Sequence, residues 1–387
     1  MSVMHNAAPL VDWILTSGRL KGLDALTQEL GPRLRAAGVP VMRLRMGMRT
    51  THPLVAALSY FWDPGNTAPD DQTHAPQGIE QRATYIGSPM EIIATNNTPY
   101  RRRLDQTLGE DDHLILHELV ARGATDWYGT PLQFSTGTFG IAVYVGDGAG
   151  FDADDIALPN TVSSALAPIV EAQRHLHLAT AIATSYLGHR TGHRVLDGQI
   201  TRGDIETTQG AILFSDIRGW TALNATRPAT EALEVANRYF EVISDAVVNN
   251  GGEILKFMGD GVLALFPADG TPQGQTEACR QAVAAAYASH GIAALAELTV
   301  PFGIGIHFGE VLYGNVGART RLDFTILGQS VNIAARVEAF CGRLDAPILV
   351  SDTVAQAAGG DMVHVATQPL KGVDTPMALY APQPVAA

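Results

Sequence analysis

Two apolar segments of this chain each contain a single aspartate at a point where a strand would end. Residues 210–221 read GAILFSDIRGWT and residues 252–264 read GEILKFMGDGVLA. A carboxylate beside a glycine turn suits a hard divalent cation, which prefers oxygen ligands. Two such carboxylates could hold two ions about 3.5–4 Å apart, an arrangement used for in-line displacement at phosphorus. The alternative is structural, since Asp216 could cap a turn and Gly-Asp260-Gly could be a hairpin turn.

Composition indicates a globular chain of about two domains, because 46% of its 387 residues are apolar and 17% are charged. The formal net charge of −13 argues against a nucleic-acid-binding protein. The two cysteines, Cys279 and Cys341, have no metal-like spacing and suit a reducing compartment. No apolar run could span a bilayer and no signal peptide is evident, so the sequence predicts a cytoplasmic protein.

The first part of the chain alternates between helical and strand patterns. Apolar residues of 41–49 alternate with Arg43, Arg45 and Arg49, which predicts a strand. Residues 63–82 are rich in turn formers and predict a long loop. Pro168 is expected to kink or interrupt the last helix. The other predicted elements are a helical region over 8–38, strands over 123–135 and 137–146, and a helix over about 159–187.

The order of these elements, with two strands followed by GFDADDIAL and a closing helix, resembles a GAF-type sensor domain. A PAS-like or another α/β sensor fold is the alternative. The resemblance implies a GAF-like α/β sensor domain over residues 1–160, with a small-molecule ligand as a possible partner. Residues 161–209 are then a helical connector, whose polar, glycine-punctuated end at 188–209 leads into the rest of the chain.

From Gly210 onward, helices alternate with strands and hairpins, which predicts an α+β fold with a mostly antiparallel sheet. The predicted elements are a strand over 211–216, a helix over 229–249, a strand pair over 253–266, a helix over 276–295, a strand pair over 300–314, a helix over 329–341, a strand over 346–350, then a short helix and closing strands.

Residues 210–387 resemble the class III nucleotide cyclase catalytic domain, a ferredoxin-like palm, over nearly their whole length. The matching segments are FSDIRGWT at 214–221, KFMGDG at 256–261, GIGIHFGEV at 303–311, GNVG at 314–317 and FTILGQSVNIAAR at 324–336. The family converts a nucleoside triphosphate into a 3′,5′-cyclic monophosphate and pyrophosphate.

The resemblance implies a metal and phosphate site in the first two segments. Asp216 and Asp260, with the carbonyl of Ile217, would hold two Mg²⁺ or Mn²⁺ ions per site. Backbone N–H groups at a turn entering a helix would bind phosphate. The residues of that turn are Arg218, Gly219, Trp220 and Thr221, and the family usually has Phe or Tyr in place of the tryptophan.

The resemblance also implies roles for polar residues further along the chain. Asn332 and Arg336, one turn apart on a helix, would orient the ribose and stabilise charge on the α-phosphate. Lys371 would contact the terminal phosphates, or is an ordinary surface lysine. Lys256 and Thr325 would donate to adenine N1 and accept from its 6-amino group, which predicts ATP as substrate, whereas guanylate cyclases have Glu and Cys there.

In the family, the active site lies between two protomers in a head-to-tail dimer. This chain carries both residue sets, so a homodimer would form two equivalent sites. Other functions weighed are a guanylate cyclase and a non-catalytic nucleotide-sensing scaffold. One position differs: some members have a phosphate-binding arginine where this chain has Gly303.

Overall fold

The computed structural model describes residues 7–50, 55–65, 72–371 and 373–383. Within these ranges the chain divides between Ile182 and Ala183 into two compact units. None of the helices described is both long and apolar enough to cross a membrane. The functional division at residues 160 and 209 and the GAF-like assignment stay predictions.

The N-terminal unit begins with helices, continues into a sheet with further helices between its strands, and ends in a long helix. Its elements are α1 (Ala8–Thr16), α2 (Leu23–Ala36), β1 (Val41–Arg49), β2 (Val55–Trp62), β3 (Gln72–Pro76), α3 (Pro89–Asn96), β4 (Tyr100–Arg103), α4 (Leu114–Ala121), β5 (Asp126–Gln133), β6 (Phe139–Gly146) and α5 (Ala153–Leu187), whose last residues belong to the second unit.

The strands of this unit pair antiparallel in the order β3-β2-β1-β6-β5-β4. One face of the sheet packs on α1, α2 and α5 through a core that includes Leu44, Met46 and Tyr144. Val143 and Trp127 contribute to a separate core with residues of α3 and α4. The strand predicted over residues 41–49 is confirmed, and Leu44, Met46 and Met48 alternate into the main core as expected. Met42 does not, because it packs against the other core beside an irregularity between Val41 and Arg43.

One prediction for this unit was wrong. The loop expected over residues 63–82 contains β3, a polar strand that pairs with β2, while residues 66–71 lie outside the described ranges. Backbone pairing at a sheet edge needs no apolar pattern, so the side chains of β3 did not reveal it. The interruption considered at Pro168 is absent, because α5 continues past it, whereas the kink stays a prediction. Leu166, Ala167 and Ile169, beside this proline, are buried in the core. Tertiary packing here outweighs the lost helical hydrogen bond.

The C-terminal unit is an α+β domain, as predicted. Its elements after α5 are α6 (His189–Leu196), β7 (Ile205–Ile217), α7 (Trp220–Thr226), α8 (Ala229–Asn249), β8 (Glu253–Met258), β9 (Gly261–Ala268), α9 (Pro272–Leu295), β10 (Phe302–Ala318), β11 (Arg321–Leu327), α10 (Gln329–Cys341), β12 (Ile348–Ser351), α11 (Asp352–Ala358), β13 (Met362–Gln368) and β14 (Met377–Pro382).

Its strands run in the order β13-β14-β12-β10-β7-β9-β8, with β11 added to β10. The pairs are antiparallel except β10 with β12. Helix α8 buries residues at intervals of three and four, including Ala232, Ala236 and Tyr239, as an amphipathic helix does. Strands β10, β7 and β9 are neighbours inside this sheet, and β7 ends where the antiparallel β9 begins, at the pair Asp216 and Gly261.

One prediction for the C-terminal unit was also wrong. The strand pair expected over 300–314 is one long strand, β10, whose hairpin partner is β11. Gly305 marks a close approach rather than a turn, because a Cβ atom there would lie 2.2 Å from the backbone nitrogen of Glu338 on α10. The polar connector at 188–209 contains α6 and the start of β7. Thr191 on α6 is buried and hydrogen-bonds to Glu253 and Tyr313 of this unit.

Candidate active site

Asp216 and Asp260 lie together at the end of the two central strands β7 and β9. Asp216 pairs across the sheet with Gly261, and a Cβ atom at that glycine would lie 3.4 Å from Asp216 Oδ1. Asp260 is in the tight turn between β8 and β9, which Gly259 allows with a φ of +64°. The hairpin turn considered from sequence is therefore present, and it is this turn that brings the second carboxylate to the first.

The environment of Asp216 resists its ionisation. Partial burial, the charge of Asp260 and a hydrogen bond with Asp260 raise the pKa of Asp216 to about 6, opposed by the backbone N–H of Ile217. Two carboxylates close enough to form a hydrogen bond repel each other when both are ionised. The pair therefore stores unfavourable electrostatic energy, which a cation between the oxygens would relieve.

The donor chemistry of this pair fits Mg²⁺ or Mn²⁺. Carboxylate oxygens are the preferred ligands of these ions, which keep water or substrate phosphates in their other positions. Within the described ranges, no three His, Cys, Asp or Glu side chains gather into a metal-binding group. Ions bound here would therefore depend on the two carboxylates, backbone oxygen such as the Ile217 carbonyl, and oxygens of the substrate.

We expect Asp216→Asn to stabilise the metal-free protein. Because folding raises the pKa of Asp216 from 3.8 to about 6, ionisation of Asp216 destabilises the folded protein. This destabilisation is absent below pH 3.8 and complete above pH 6. After solvent screening, the gain for the amide is about 1 kcal/mol. Melting curves in EDTA should show a higher Tm for the variant than for the unmodified chain above pH 6, and equal Tm values below pH 3.8. An equal gain at both ends would contradict the electrostatic explanation.

Glu338 is a third acidic group at this site, and sequence reasoning missed it. Burial and the charge of Asp216, opposed by Arg218, raise the pKa of Glu338 to about 7, with Asp260 adding to the rise. Its Oε1 would lie 2.7 Å from a Cβ atom at Gly303, so the carboxylate fills the space beside that glycine. The sequence could have indicated Glu338, because this acidic residue occupies an inward-facing position of an amphipathic helix.

In the turn after Asp216, some polar groups already bond to the protein and others are free to contact a ligand. The N–H of Arg218 donates to the Pro301 carbonyl at 2.9 Å, so it is already occupied. The Arg218 guanidinium donates to the Ala346 carbonyl at 2.7 Å. Its Nε is buried and has no partner within the described ranges. Gly219 has a φ of +73° and precedes α7, where the N–H groups of Trp220 and Thr221 have no acceptor within the helix.

Lys256 and Thr325 are brought to the same part of the C-terminal unit by β8 and β11. Lys256 forms an ion pair with Asp323. Asp323 and Thr325 are two residues apart on β11 and therefore share a face of that strand. Lys256 and Thr325, the residues predicted to contact the purine base, therefore both lie near Asp323, which the sequence analysis did not include.

Asn332 and Arg336 lie on the outer part of α10, one turn apart. Asn332 is exposed and bonds weakly to the Gly328 carbonyl at 3.4 Å. Arg336 donates to the backbone carbonyl of Lys371, so these two predicted phosphate contacts are neighbours. Glu338 lies two residues beyond Arg336, about 200° around the helix. Helix α10 therefore presents the Asn/Arg pair and the glutamate in different directions.

The predicted residues form two groups in a single chain. One is at the ends of β7 and β9 and the other is around β8, β11 and the outer part of α10. Within the described ranges, no hydrogen bond or ion pair joins the Asp216–Asp260 pair to Lys256, Thr325, Asn332 or Arg336. A site that uses both groups is what the predicted homodimer would supply.

Comparison with known proteins identifies the family that this part of the chain resembles. Residues 205–377 match the family model described as the Adenylate and Guanylate cyclase catalytic domain. This match supports the predicted class III cyclase domain in the C-terminal unit. It does not distinguish ATP from GTP, since the family includes both kinds of enzyme.

Relatives with similar sequences cover the same part of the chain. An uncharacterized protein of Mycobacterium tuberculosis is 35% identical over 179 residues, 44% of this chain and 30% of that protein. An adenylate cyclase of Anabaena cylindrica is 33% identical over 163 residues, 39% of this chain and 31% of the relative. The crystal structure of the adenylyl cyclase CyaB from P. aeruginosa is 29% identical, covers 46% of this chain and 94% of that chain, and has a TM-score of 0.41. The chain spans about a third of the length of these curated relatives.

Proposed function

We propose that this chain is an adenylate cyclase that converts ATP into 3′,5′-cyclic AMP and pyrophosphate with two Mg²⁺ or Mn²⁺ ions at a homodimer interface. The observation that supports this most directly is the hydrogen-bonded Asp216–Asp260 pair, where β7 ends beside the start of β9. In the reaction, the ribose 3′-oxygen attacks the α-phosphorus, its proton leaves, and the bond to pyrophosphate breaks. When bound, the ions would acidify the 3′-hydroxyl and neutralise the triphosphate.

The chain's own residues would position the substrate. In the proposed dimer, the Asp216–Asp260 pair of one protomer faces Asn332 and Arg336 of the other. A guanidinium suits the charge that develops on the α-phosphate, because its donors are fixed in a planar fork. Lys371, which neighbours Arg336, would contact the terminal phosphates. The N–H groups of Trp220 and Thr221 at the start of α7 would add neutral donors to phosphate.

The choice of ATP depends on Lys256 and Thr325. A lysine donates to adenine N1 but cannot accept the N1–H and 2-amino hydrogen bonds of guanine. Asp323 is compatible with this choice, because it forms an ion pair with Lys256. A glutamate at position 256, as in guanylate cyclases, would instead face a second carboxylate.

Turnover of ATP and GTP, measured side by side with Mn²⁺ and Mg²⁺, tests this function. We expect cyclic AMP as the product and a preference for ATP in kcat/KM of about a hundredfold or more, because mispaired buried polar groups discriminate strongly. EDTA should abolish turnover. Preference for GTP would overturn the nucleotide assignment, and no cyclic product from either nucleotide would overturn the enzymatic one.

The proposal includes regulation by the N-terminal unit as a sensor domain in a cytoplasmic protein. The order of the units along the chain supports it, since a unit with a large cavity precedes the catalytic one. The cyclase activity of residues 183–387 and of the full chain should differ in their response to a ligand of that cavity. Identical responses would refute the regulatory role.

A further inference from the structure

The N-terminal unit contains a cavity of about 440 Å³ on the face of the sheet opposite its main core. Residues of β1, β2 and β6 form its floor, and the first turns of α3 and α4 lie at its wall. Its volume lies in the range of small-molecule sites, about 300–1,000 Å³. A smaller cavity of about 50 Å³ shares the side chain of Arg45 with it.

Arg45 places a positive charge at this cavity. Its Nε and Nη2 both donate to Ser59 Oγ, at 3.2 and 2.8 Å. A guanidinium has five N–H groups, so most of its donor capacity remains. Arg43 and Arg49, on the same strand, pair with Asp63 and Glu80. In the parts of the chain that the structure describes, no carboxylate pairs with Arg45.

Burial and the charge of Arg43 lower the pKa of Arg45 to about 10, which leaves the side chain protonated at neutral pH. Arg45 is partly buried, and its guanidinium lies over the ring of Phe61, 5.5 Å from Cζ to the ring centroid, besides donating to the Ser59 hydroxyl. Neither partner is an anion, so removing this charge from water is costly unless an anion reaches it. Glu118 also lines the cavity, but its side chain is exposed to solvent and belongs to the outer surface of α4.

His113 supplies a second unused donor at the same cavity. It precedes α4, and its Nδ1 accepts a hydrogen bond from the Ile115 N–H at 3.2 Å. In a neutral ring this leaves the proton on Nε2. That Nε2 is buried and has no hydrogen-bond partner among the residues described. Ser88, which also lines the cavity, precedes α3 in the same way. Two helix N-termini therefore add positive potential.

The remaining wall is mostly apolar and aromatic, with Met90, Phe139 and Ile141 among its residues. We propose that this cavity binds a small organic acid, whose carboxylate pairs with Arg45 and accepts from His113 Nε2, and whose apolar body fills the rest. A carboxylate matches the guanidinium fork with two parallel hydrogen bonds. The proposal concerns binding alone, so it stands or falls independently of cyclase activity.

Aryl carboxylates from benzoate to naphthoate, each compared with its uncharged amide, provide the probes. Binding to the full chain is measured by calorimetry and ligand-observed NMR up to millimolar concentration. We expect at least one acid to bind more tightly than its amide. Arg45→Met keeps the length of the side chain without its charge, and should weaken acid binding about ten- to a hundredfold while leaving the amide unchanged.

Two further variants separate charge from shape. Ala57→Leu narrows the cavity and should weaken acid and amide alike. Arg35→Met removes an exposed arginine of α2 that does not line the cavity, and should change neither. The proposal is overturned if every acid binds no better than its amide, if nothing binds at millimolar concentration, or if Arg45→Met keeps the preference for acids in a folded protein.

Discussion

Asp216→Asn and Asp260→Asn are each expected to lower the rate of cyclic AMP formation by about a thousandfold or more. Each removes one of the two carboxylates that would hold the metal ions, while the amide keeps the size of the side chain. The measurement is kcat with saturating ATP and Mn²⁺ on the full chain. Asp245→Asn is the matched control, because Asp245 is exposed on α8, away from the ends of β7 and β9.

The loss should come from the site rather than from unfolding. Because the pKa of Asp216 is raised in the folded protein, Asp216→Asn should melt no lower than the unmodified chain above pH 6. An inactive variant with an unchanged or higher Tm would fit the proposed metal site. A variant that retains more than a tenth of the activity would show that this carboxylate does not hold the ions.

Co-expression of Asp216→Ala and Asn332→Ala chains should recover about a quarter of the unmodified activity, although each variant alone is inactive. Random pairing makes half of the dimers mixed, and each mixed dimer has one intact site of two. This result follows if the carboxylates of one protomer act with Asn332 of the other. The measurement is cyclic AMP formed per total chain, with the two chains carrying different affinity tags.

Asp216→Ala with Asp260→Ala is the control pair, because both changes damage the same residue group. Their mixed dimer has no intact site, so no activity should return. Equal recovery in both mixtures would refute the shared site, and so would no recovery in either. Purification through both tags in succession shows that mixed dimers have formed.

Elements with strong periodicity could be predicted closely from the sequence. Helices α8 and α10 have the predicted bounds, and so does strand β1. In each, the spacing of apolar residues matches the period of the element, and packing against the core favours the same conformation. The order of glycines and polar residues around Asp216 and Asp260 also located both carboxylates at adjacent strand ends.

Other features depend on contacts between distant segments. Strand β3 is polar, and only its pairing with β2 reveals it. The strand pair expected over residues 300–314 is a single strand, β10, and the sequence does not show that α10 passes against its glycines. Glu338 and Asp323 join the candidate site through neighbours from other elements, Asp216 and Lys256. The cavity around Arg45 lies between a sheet face and two helices, and no local sequence pattern predicts how those elements pack together.

The contact between Gly303 and α10 limits how this sequence can change. A Cβ atom at Gly303 would meet Glu338 Oε1 at 2.7 Å and Cys341 Cβ at 2.9 Å. An arginine here, as some cyclases carry, would therefore force Glu338 and Cys341 to shift, because its first side-chain atom already meets both. Substitutions at positions 303, 338 and 341 are thus expected to depend on one another rather than to add independently.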